Sequence, residues 1–428
     1  MRTGRATARA NADSESAIVR WANSGLALLT GGAAPVLPER DFAGRLEVML
    51  AAARDADAGP RVDMRLFTER AAELGLTRRG QTSANGTARL IETADGWLAV
   101  NLARPDDIEA LPAWIGGGVD KDPWVALGDA ARRRTAADLA EAGQELGIPA
   151  AIVASPDDAR RRARAAAGPR IVRLAEGRGE PVRDPLVLDL SSLWAGPLCA
   201  HLLGLAGARV VKVESLARPD AARGGPPGFF DRLHAGHESV VLDFATREGR
   251  AQLSRLIERA DLVIESSRPR ALEQLGVELE AMFAANQAMV WVSLTAYGRT
   301  GPWSNRVGFG DDAAAAGGLV VRDRAERPMF AGDALADPVA GLAAATSALK
   351  ALAAGGGVLV DTALRDAAAL VAAADPVDAA ERDQVIGEDG HWRLARAGVS
   401  LLPPRARPRT VSAAPRGADT AAILAEFG

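Results

Sequence analysis

The sequence predicts an α/β protein built on a doubly wound, Rossmann-like parallel sheet with a smaller α+β domain attached. Three observations carry this. From residue 186 onward, apolar runs of strand length alternate with segments of helical period. The first run, Val187-Leu188-Asp189-Leu190, passes through Ser191-Ser192-Leu193-Trp194 into Ala195-Gly196-Pro197, which reads as strand, tight loop and helix start. The next, Val210-Val211-Lys212-Val213-Glu214, closes a βαβ unit, the element that presents a ligand at the end of a parallel sheet.

The elements follow in order. Residues 1–20 read as a disordered tail: Met1 to Asn11 is rich in Arg and Ala, with no apolar core behind it to make a secretory signal. Residues 21–57 are Ala/Leu-rich with a helical period, and Thr68 to Leu76 predicts a helix. Thr87 to Leu102 alternates as a β segment around Asp95-Gly96-Trp97. An amphipathic helix over 130–146 leads through Gly147-Ile148-Pro149 to the apolar Ala150–Val153. Residues 156–185, rich in Arg, Gly and Pro, predict a linker. In 186–399, strands are expected at 186–190, 209–214, 239–243, 261–265 and 289–294. Helices are expected at 197–205, 247–259, 270–275 and 338–353. Pro197 suits a first helical position, and Gly207 suits a helix end. Residues 400–428 read as a loose Pro/Arg-rich tail until a last short helix.

A weak internal repeat is visible. Ser24-Gly25-Leu26 echoes Gly317-Gly318-Leu319, Val62-Asp63 echoes Val360-Asp361, and Asp95-Gly96-Trp97 echoes Asp389-Gly390-His391-Trp392. Asp41 sits in the first copy where Asp337 sits in the second. Residues 21–155 thus read as a partial tail copy plus the small domain.

The 428 residues, 48% of them hydrophobic, suffice for two domains. A net charge of −4 points to neither nucleic acid nor an anionic membrane. The single cysteine, Cys199, excludes an internal disulfide and a cysteine metal cluster, and fits a reducing, cytoplasmic compartment. No apolar run is long enough to span a bilayer.

Three segments carry candidate chemistry. Trp194-Ala195-Gly196-Pro197 opens a helix whose free N–H groups can face a phosphate, and Glu214 ends the next strand where an acid commonly meets a ribose hydroxyl. The other reading is a plain α/β core with a glycine turn. Without Gly-x-Gly-x-x-Gly, a dinucleotide site is not supported. Glu265-Ser266-Ser267-Arg268-Pro269 follows a strand, so Arg268 can pair with phosphate oxygens or be an ordinary loop residue. Asp337, before Pro338, is either a helix N-cap or a carboxylate nucleophile toward an activated acyl group. Asp333 reads as an exposed loop acid. His234 and His237 are a weak metal signal and His201 a packed helix residue. No Ser-His-Asp order or Gly-x-Ser-x-Gly elbow supports a serine hydrolase.

Taken in order, these pieces resemble the family III CoA-transferases (the CaiB/BaiF family, which also holds the α-methylacyl-CoA racemases). The resemblance runs from about 186 to 370. It includes Gly207-Ala208-Arg209-Val210-Val211-Lys212-Val213-Glu214, Ser239-Val240-Val241-Leu242-Asp243, Asp261–Glu265 with Arg268-Pro269, Tyr297-Gly298-Arg299-Thr300-Gly301-Pro302, and Asp337 with Gly341-Leu342. It implies an enzyme that moves CoA between an acyl-CoA and a carboxylic acid, with Asp337 as nucleophile. The implied intermediates are an aspartyl mixed anhydride and an aspartyl-CoA thioester. It also implies that Trp194, Ala195, Gly196, Pro197, Glu214, Ser266, Ser267 and Arg268 hold the coenzyme. Coenzyme A enters as part of the substrate, with no permanently bound cofactor and no metal. Family members form interlocked homodimers, so a homodimer is implied, or its imitation within one subunit.

Departures from the family qualify this. Trp194 stands where oxalate-type members carry Gln, which permits a bulkier acyl group. Phe309 follows Arg306-Val307-Gly308 where racemases carry His, which counts against racemisation. The small domain precedes the coenzyme-binding half, so a rearranged order is expected. The rival activities are a racemase of the same fold and a non-catalytic acyl-CoA-binding protein.

Overall fold

The computed structural model describes residues 15–56, 59–119, 122–166, 168–388, 391–409 and 411–427. The expected tail over 1–14 lies outside them. Ser16 accepts a hydrogen bond from the Val19 N–H and starts helix α1 (Ala17–Asn23), so residues 17–20 are helical rather than part of a tail. Asp41 caps α2 (Phe42–Arg54) by accepting from the Gly44 N–H at 2.8 Å, and its carboxylate pairs with Arg20. Helix α3 (Glu69–Leu74) follows a 3-10 turn that Asp63 caps. Trp21, Leu46, Leu50 and Phe67 are buried in one core with Leu198, Val339 and Leu342 from the second half of the chain.

Strands β1 (Ala88–Glu92) and β2 (Trp97–Asn101) form an antiparallel hairpin around Asp95-Gly96, with helices α4 (Pro105–Glu109), α5 (Leu111–Ile115), α6 (Pro123–Ala131) and α7 (Ala136–Glu145) following. Strand β3 (Ala150–Ile152) then pairs antiparallel with β2. The helix expected over 130–146 is two helices, because the Thr135 hydroxyl accepts from the Asp138 N–H and restarts the chain after Arg134. Leu98, Leu111, Trp114 and Leu139 give this α+β unit its own core. Residues 156–185, expected as a linker, contain helix α8 (Pro156–Ala166) and strand β4 (Arg170–Arg173).

The large unit runs β5 (Leu186–Asp189), α9 (Ala195–Leu205), β6 (Arg209–Ser215), α10 (Pro227–His234), β7 (Glu238–Leu242), α11 (Arg247–Arg259) and β8 (Leu262–Glu265). It continues with α12 (Pro269–Glu273), α13 (Leu279–Ala285), β9 (Val290–Thr295), α14 (Gly310–Gly317), β10 (Val320–Arg322), β11 (Pro328–Phe330), α15 (Ala336–Ala353), β12 (Val358–Ala363) and α16 (Leu364–Ala372). The sheet order is β4-β12-β9-β8-β5-β6-β7, with every pair parallel except β4 against β12. The chain steps from β5 outward to β7, then returns to the other side of β5 at β8. The direction reverses between β5 and β8, and a crevice at the carboxyl ends of those strands is where such sheets bind ligands. The doubly wound class is the expected one. Its strands read as apolar runs because helices cover both faces, leaving Val187, Leu188, Val263 and Val292 buried.

Beyond α16 come the hairpin strands β13 (Val385–Glu388) and β14 (His391–Leu394). Asp95-Gly96 lies at the turn of the β1–β2 hairpin, whereas Asp389 and Gly390 of its echo lie outside the described residues. Gly25 and Gly318, the first pair of echoes, both follow a helix with φ near +80° (81° and 82°). The tail expected to be loose is tied down. Arg407 binds Glu69 through two buried hydrogen bonds of 2.7 and 2.8 Å, and Thr68 donates to the Arg405 carbonyl at 2.8 Å. Ile423 of the last helix, α17 (Thr420–Phe427), is buried in the core that contains Leu253 and Val240.

Candidate active site

The loop from β5 to α9 is held from beneath by buried charges. Asp189 accepts from the Ser191 N–H at 2.9 Å, and Asp220 accepts from the Leu193 N–H at 3.0 Å. Lys212 reaches up from β6 between these acids, 3.0 Å from Asp220 and 3.4 Å from Asp189, and donates to the Ser191 carbonyl. Burial alone would lower the Lys212 pKa; the two carboxylates hold it above its ordinary value. Leu193 adopts a φ of 72°, a left-handed conformation that a non-glycine residue holds only when its surroundings fix it. Gly196 fits tightly here, since a Cβ would lie 2.2 Å from the Ser191 side chain.

On β8, buried Glu265 accepts from the Ser293 hydroxyl, the Arg299 guanidinium (2.9 Å) and the Ser267 N–H (2.8 Å), which fixes the loop Ser266-Ser267-Arg268. Ser266 Oγ accepts from the Ser192 N–H at 3.2 Å, tying the two loops across the switch point. A cavity of about 110 Å³ lies there, lined among others by Ser192, Glu214, Ser215, Arg218 and Ser267. Arg268 is exposed, and partial burial together with Arg270, Arg104 and Arg218 pushes its pKa down. Guanidiniums gathered at a sheet's carboxyl edge suit the phosphates of a nucleotide. Glu214 lines the cavity, but Arg223 (2.5 Å) and the Asp220 N–H (2.9 Å) engage its carboxylate.

Asp337 lies on the first turn of α15. That helix leads into a parallel strand, so its start lies at the carboxyl side of the sheet. Gly341, one turn on, lets α15 approach α9 closely: a Cβ there would be 2.6 Å from the Ala195 carbonyl. Trp194 and the residues Ala195, Gly196 and Pro197 are buried against this crossing. Trp194 meets Phe229 edge to face at 5.4 Å, and the Arg70 guanidinium stands 5.5 Å from its ring. Asp337 is partly exposed, and among the described residues none hydrogen-bonds its carboxylate. Burial raises its pKa to about 7, opposed by Arg70 and reinforced by Asp311 and Asp333.

Two companions of Asp337 were not apparent from the sequence. Asp311, on α14, accepts from the Ala334 N–H at 2.9 Å, and burial pushes it to about 7 with help from Asp333. Arg70, on α3, binds Asp333. Asp333, expected to be an exposed loop acid, is completely buried, because the chain turns inward at Ala334 (φ 43°) and Arg70 covers it. Charge and periodicity around Arg70 gave no signal of this, since its partner lies 263 residues away.

The histidines pack together. His234 and His237 stand 5.5 Å apart and His201 lies 6.3 Å from His237, with burial lowering the pKa of His201 and His237 to about 3. Among the described residues, no group of three or more His, Cys, Asp or Glu side chains has the arrangement to hold a metal ion, and no helix is long and apolar enough to cross a membrane.

The sequence profile of CoA-transferase family III matches residues 182–401, and the chain belongs to that family. It is 34% identical over 181 residues to the succinyl-CoA–D-citramalate CoA-transferase of Chloroflexus aurantiacus, covering 40% of this chain and 45% of that protein. It is 30% identical over 215 residues to the succinate–glutarate CoA-transferase of Agrobacterium fabrum, covering 46% and 54%. A solved CaiB/BaiF family protein from Brucella suis is 30% identical, covers 45% of this chain and 55% of its own, and aligns with a TM-score of 0.40. The match spans about half the length of these relatives, and residues 15–181 fall outside the family-matched span.

Proposed function

We propose that this chain is a CoA-transferase in which Asp337 is the nucleophile. The observation that carries the reading is the setting of Asp337: a partly exposed carboxylate with a pKa near neutrality, on a helix turn packed against the Trp194–Pro197 loop. An Asp337 oxygen attacks the thioester carbonyl of an acyl-CoA, expelling CoA thiolate and leaving a mixed anhydride. The thiolate attacks the aspartyl carbonyl, releasing the free acid and leaving an aspartyl-CoA thioester. An acceptor carboxylate attacks that thioester, and the expelled thiolate then takes the new acyl group, which regenerates Asp337. Both intermediates are activated acyl species that water would destroy, and buried Trp194 and Leu335 support a dry site.

The nucleotide of CoA occupies the crevice at the β5–β8 switch point, with Ser192 and Ser267 along it and Arg218 and Arg268 toward its phosphates. Succinyl-CoA is the first donor to try, because both relatives described above are named for succinyl or succinate transfer. Racemisation is the weaker reading: Phe309, where a second proton-carrying group would be needed, faces the Arg104 guanidinium at 5.9 Å.

The test is peptide mass spectrometry after mixing the protein with a panel of acyl-CoAs and quenching with hydroxylamine. A hydroxamate at residue 337, absent from Asp337→Asn, is expected. CoA binding without any label at Asp337 would overturn the assignment, and exchange of the α-proton with solvent would then identify a racemase.

A further inference from the structure

A second cavity among the described residues lies away from the switch point. It encloses about 380 Å³ at the carboxyl ends of β9 and β12, and neither Asp337 nor any residue of the CoA crevice lines it. One wall is α8, which precedes the family-matched span. We propose that this cavity is a second binding site, for a small molecule bearing a carboxylate or phosphate group, held by Arg162 and Arg365 with the hydroxyls of Thr362 and Tyr297.

Four observations support it. Its volume lies in the range of small-ligand pockets. Thr362 and Tyr297 line it, and their hydroxyls are both buried and lack any hydrogen-bond partner among the described residues. Leaving such groups unpaired costs about 1–3 kcal/mol each, and an oxyanion could accept from both. The Arg365 guanidinium is set in place, 4.9 Å from the Trp303 ring and 5.4 Å from the Tyr297 ring; among the described residues only its Nε donates to a protein group, Asp366, at 2.9 Å. Arg162, 3.5 Å from the same Asp366, has a buried, unpartnered Nε, and both burial and Arg365 lower its pKa. Two guanidiniums thus share one carboxylate at the mouth. Of the other lining charges, the Arg170 guanidinium acts on the Asp361 carboxylate and opposes the rise that burial gives its pKa, so these two offset one another. One positive charge remains in excess, as an anion site requires.

The full chain would be titrated separately with inorganic phosphate and with succinate at constant ionic strength, with KCl as control, following thermal stability and heat of binding. Parallel titrations would use Arg162→Gln on the outer helix and the near-isosteric Thr362→Val. Saturable binding of phosphate, weakened at least tenfold in Arg162→Gln but unchanged in Arg268→Gln, is one expected result and identifies a phosphate-bearing ligand. The same pattern with succinate, retained in Asp337→Asn, identifies a carboxylate ligand. Binding no stronger than chloride, or unaffected by both pocket variants, would overturn the proposal. Hydroxylamine labelling of Asp337 in Arg162→Gln is expected to be normal, so failure here stays separate from failure of the transferase reading.

Discussion

One terminal nitrogen of Arg70 contacts both oxygens of buried Asp333, at 2.7 and 2.8 Å, four residues ahead of Asp337. A cation from the first seventy residues therefore governs a carboxylate cluster in the second half of the chain. Arg70→Met is expected to raise the pKa of Asp337 further. The labelling of Asp337 by acyl-CoA would then fall at pH 7 and recover at higher pH. Stability should drop by about 2–3 kcal/mol, less than for a fully stranded charge, because Asp333 can take up a proton. A denaturant titration and a pH profile of labelling would check the two halves.

The raised acids also set the response of stability to pH. Burial lifts Asp311 to about 7, Asp312 to about 8 and Asp337 to about 7, all above their unfolded value of 3.8. The folded chain then binds protons that the unfolded chain has released. This contribution is fully present below pH 4 and is lost as pH rises through 7 to 8. The melting temperature is expected to be higher at pH 6 than at pH 8.5. Asp312→Asn keeps the acceptor for the Phe309 N–H (2.9 Å) and removes one buried charge, so it should raise the pH 8.5 value by roughly 2–4 °C.

Gly310 faces Asp337 directly. A Cβ there would lie 2.5 Å from Asp337 Oδ2 and 2.5 Å from the Ala334 carbonyl. Gly310→Ala is expected to cost about 1–3 kcal/mol and to displace the carboxylate. Turnover should fall while CoA affinity, measured by calorimetry, stays close to that of the parent.

Lys212→Met should do the reverse. It leaves Asp189 and Asp220 buried without their cation, a loss of about 3–5 kcal/mol, and frees the loop that the coenzyme is proposed to meet. CoA affinity is expected to fall with stability. Retention of full affinity would show that the loop does not need this support.

Much of the large unit was legible in the sequence. Val187–Asp189, Val210–Glu214 and Leu262–Glu265 are short apolar runs because both faces of a parallel sheet are covered, and Pro197 and Pro338 mark helix starts by local chemistry. What escaped was set by distance. Edge strand β4 has exposed Ile171 among arginines and reads as loop until β12 supplies its hydrogen bonds. The extended run through Arg405 and Arg407 reads as loose because its partners, Thr68 and Glu69, lie more than 330 residues away. The burial of Asp333 follows the same logic, since nothing local distinguishes an acid on a loop from an acid awaiting an arginine.

The contacts that join the N-terminal helices to the rest have a consequence for synthesis. Glu69 and Arg70 leave the ribosome long before Arg407 and Asp333 exist to neutralise them, across separations of 338 and 263 residues. Their apolar neighbours Trp21, Leu46 and Phe67 must wait as well, because the core they join includes Val339 and Leu342. The first fifth of the nascent chain is thus an orphan surface during translation, and its docking is a late, high-contact-order step that a chaperone could shelter.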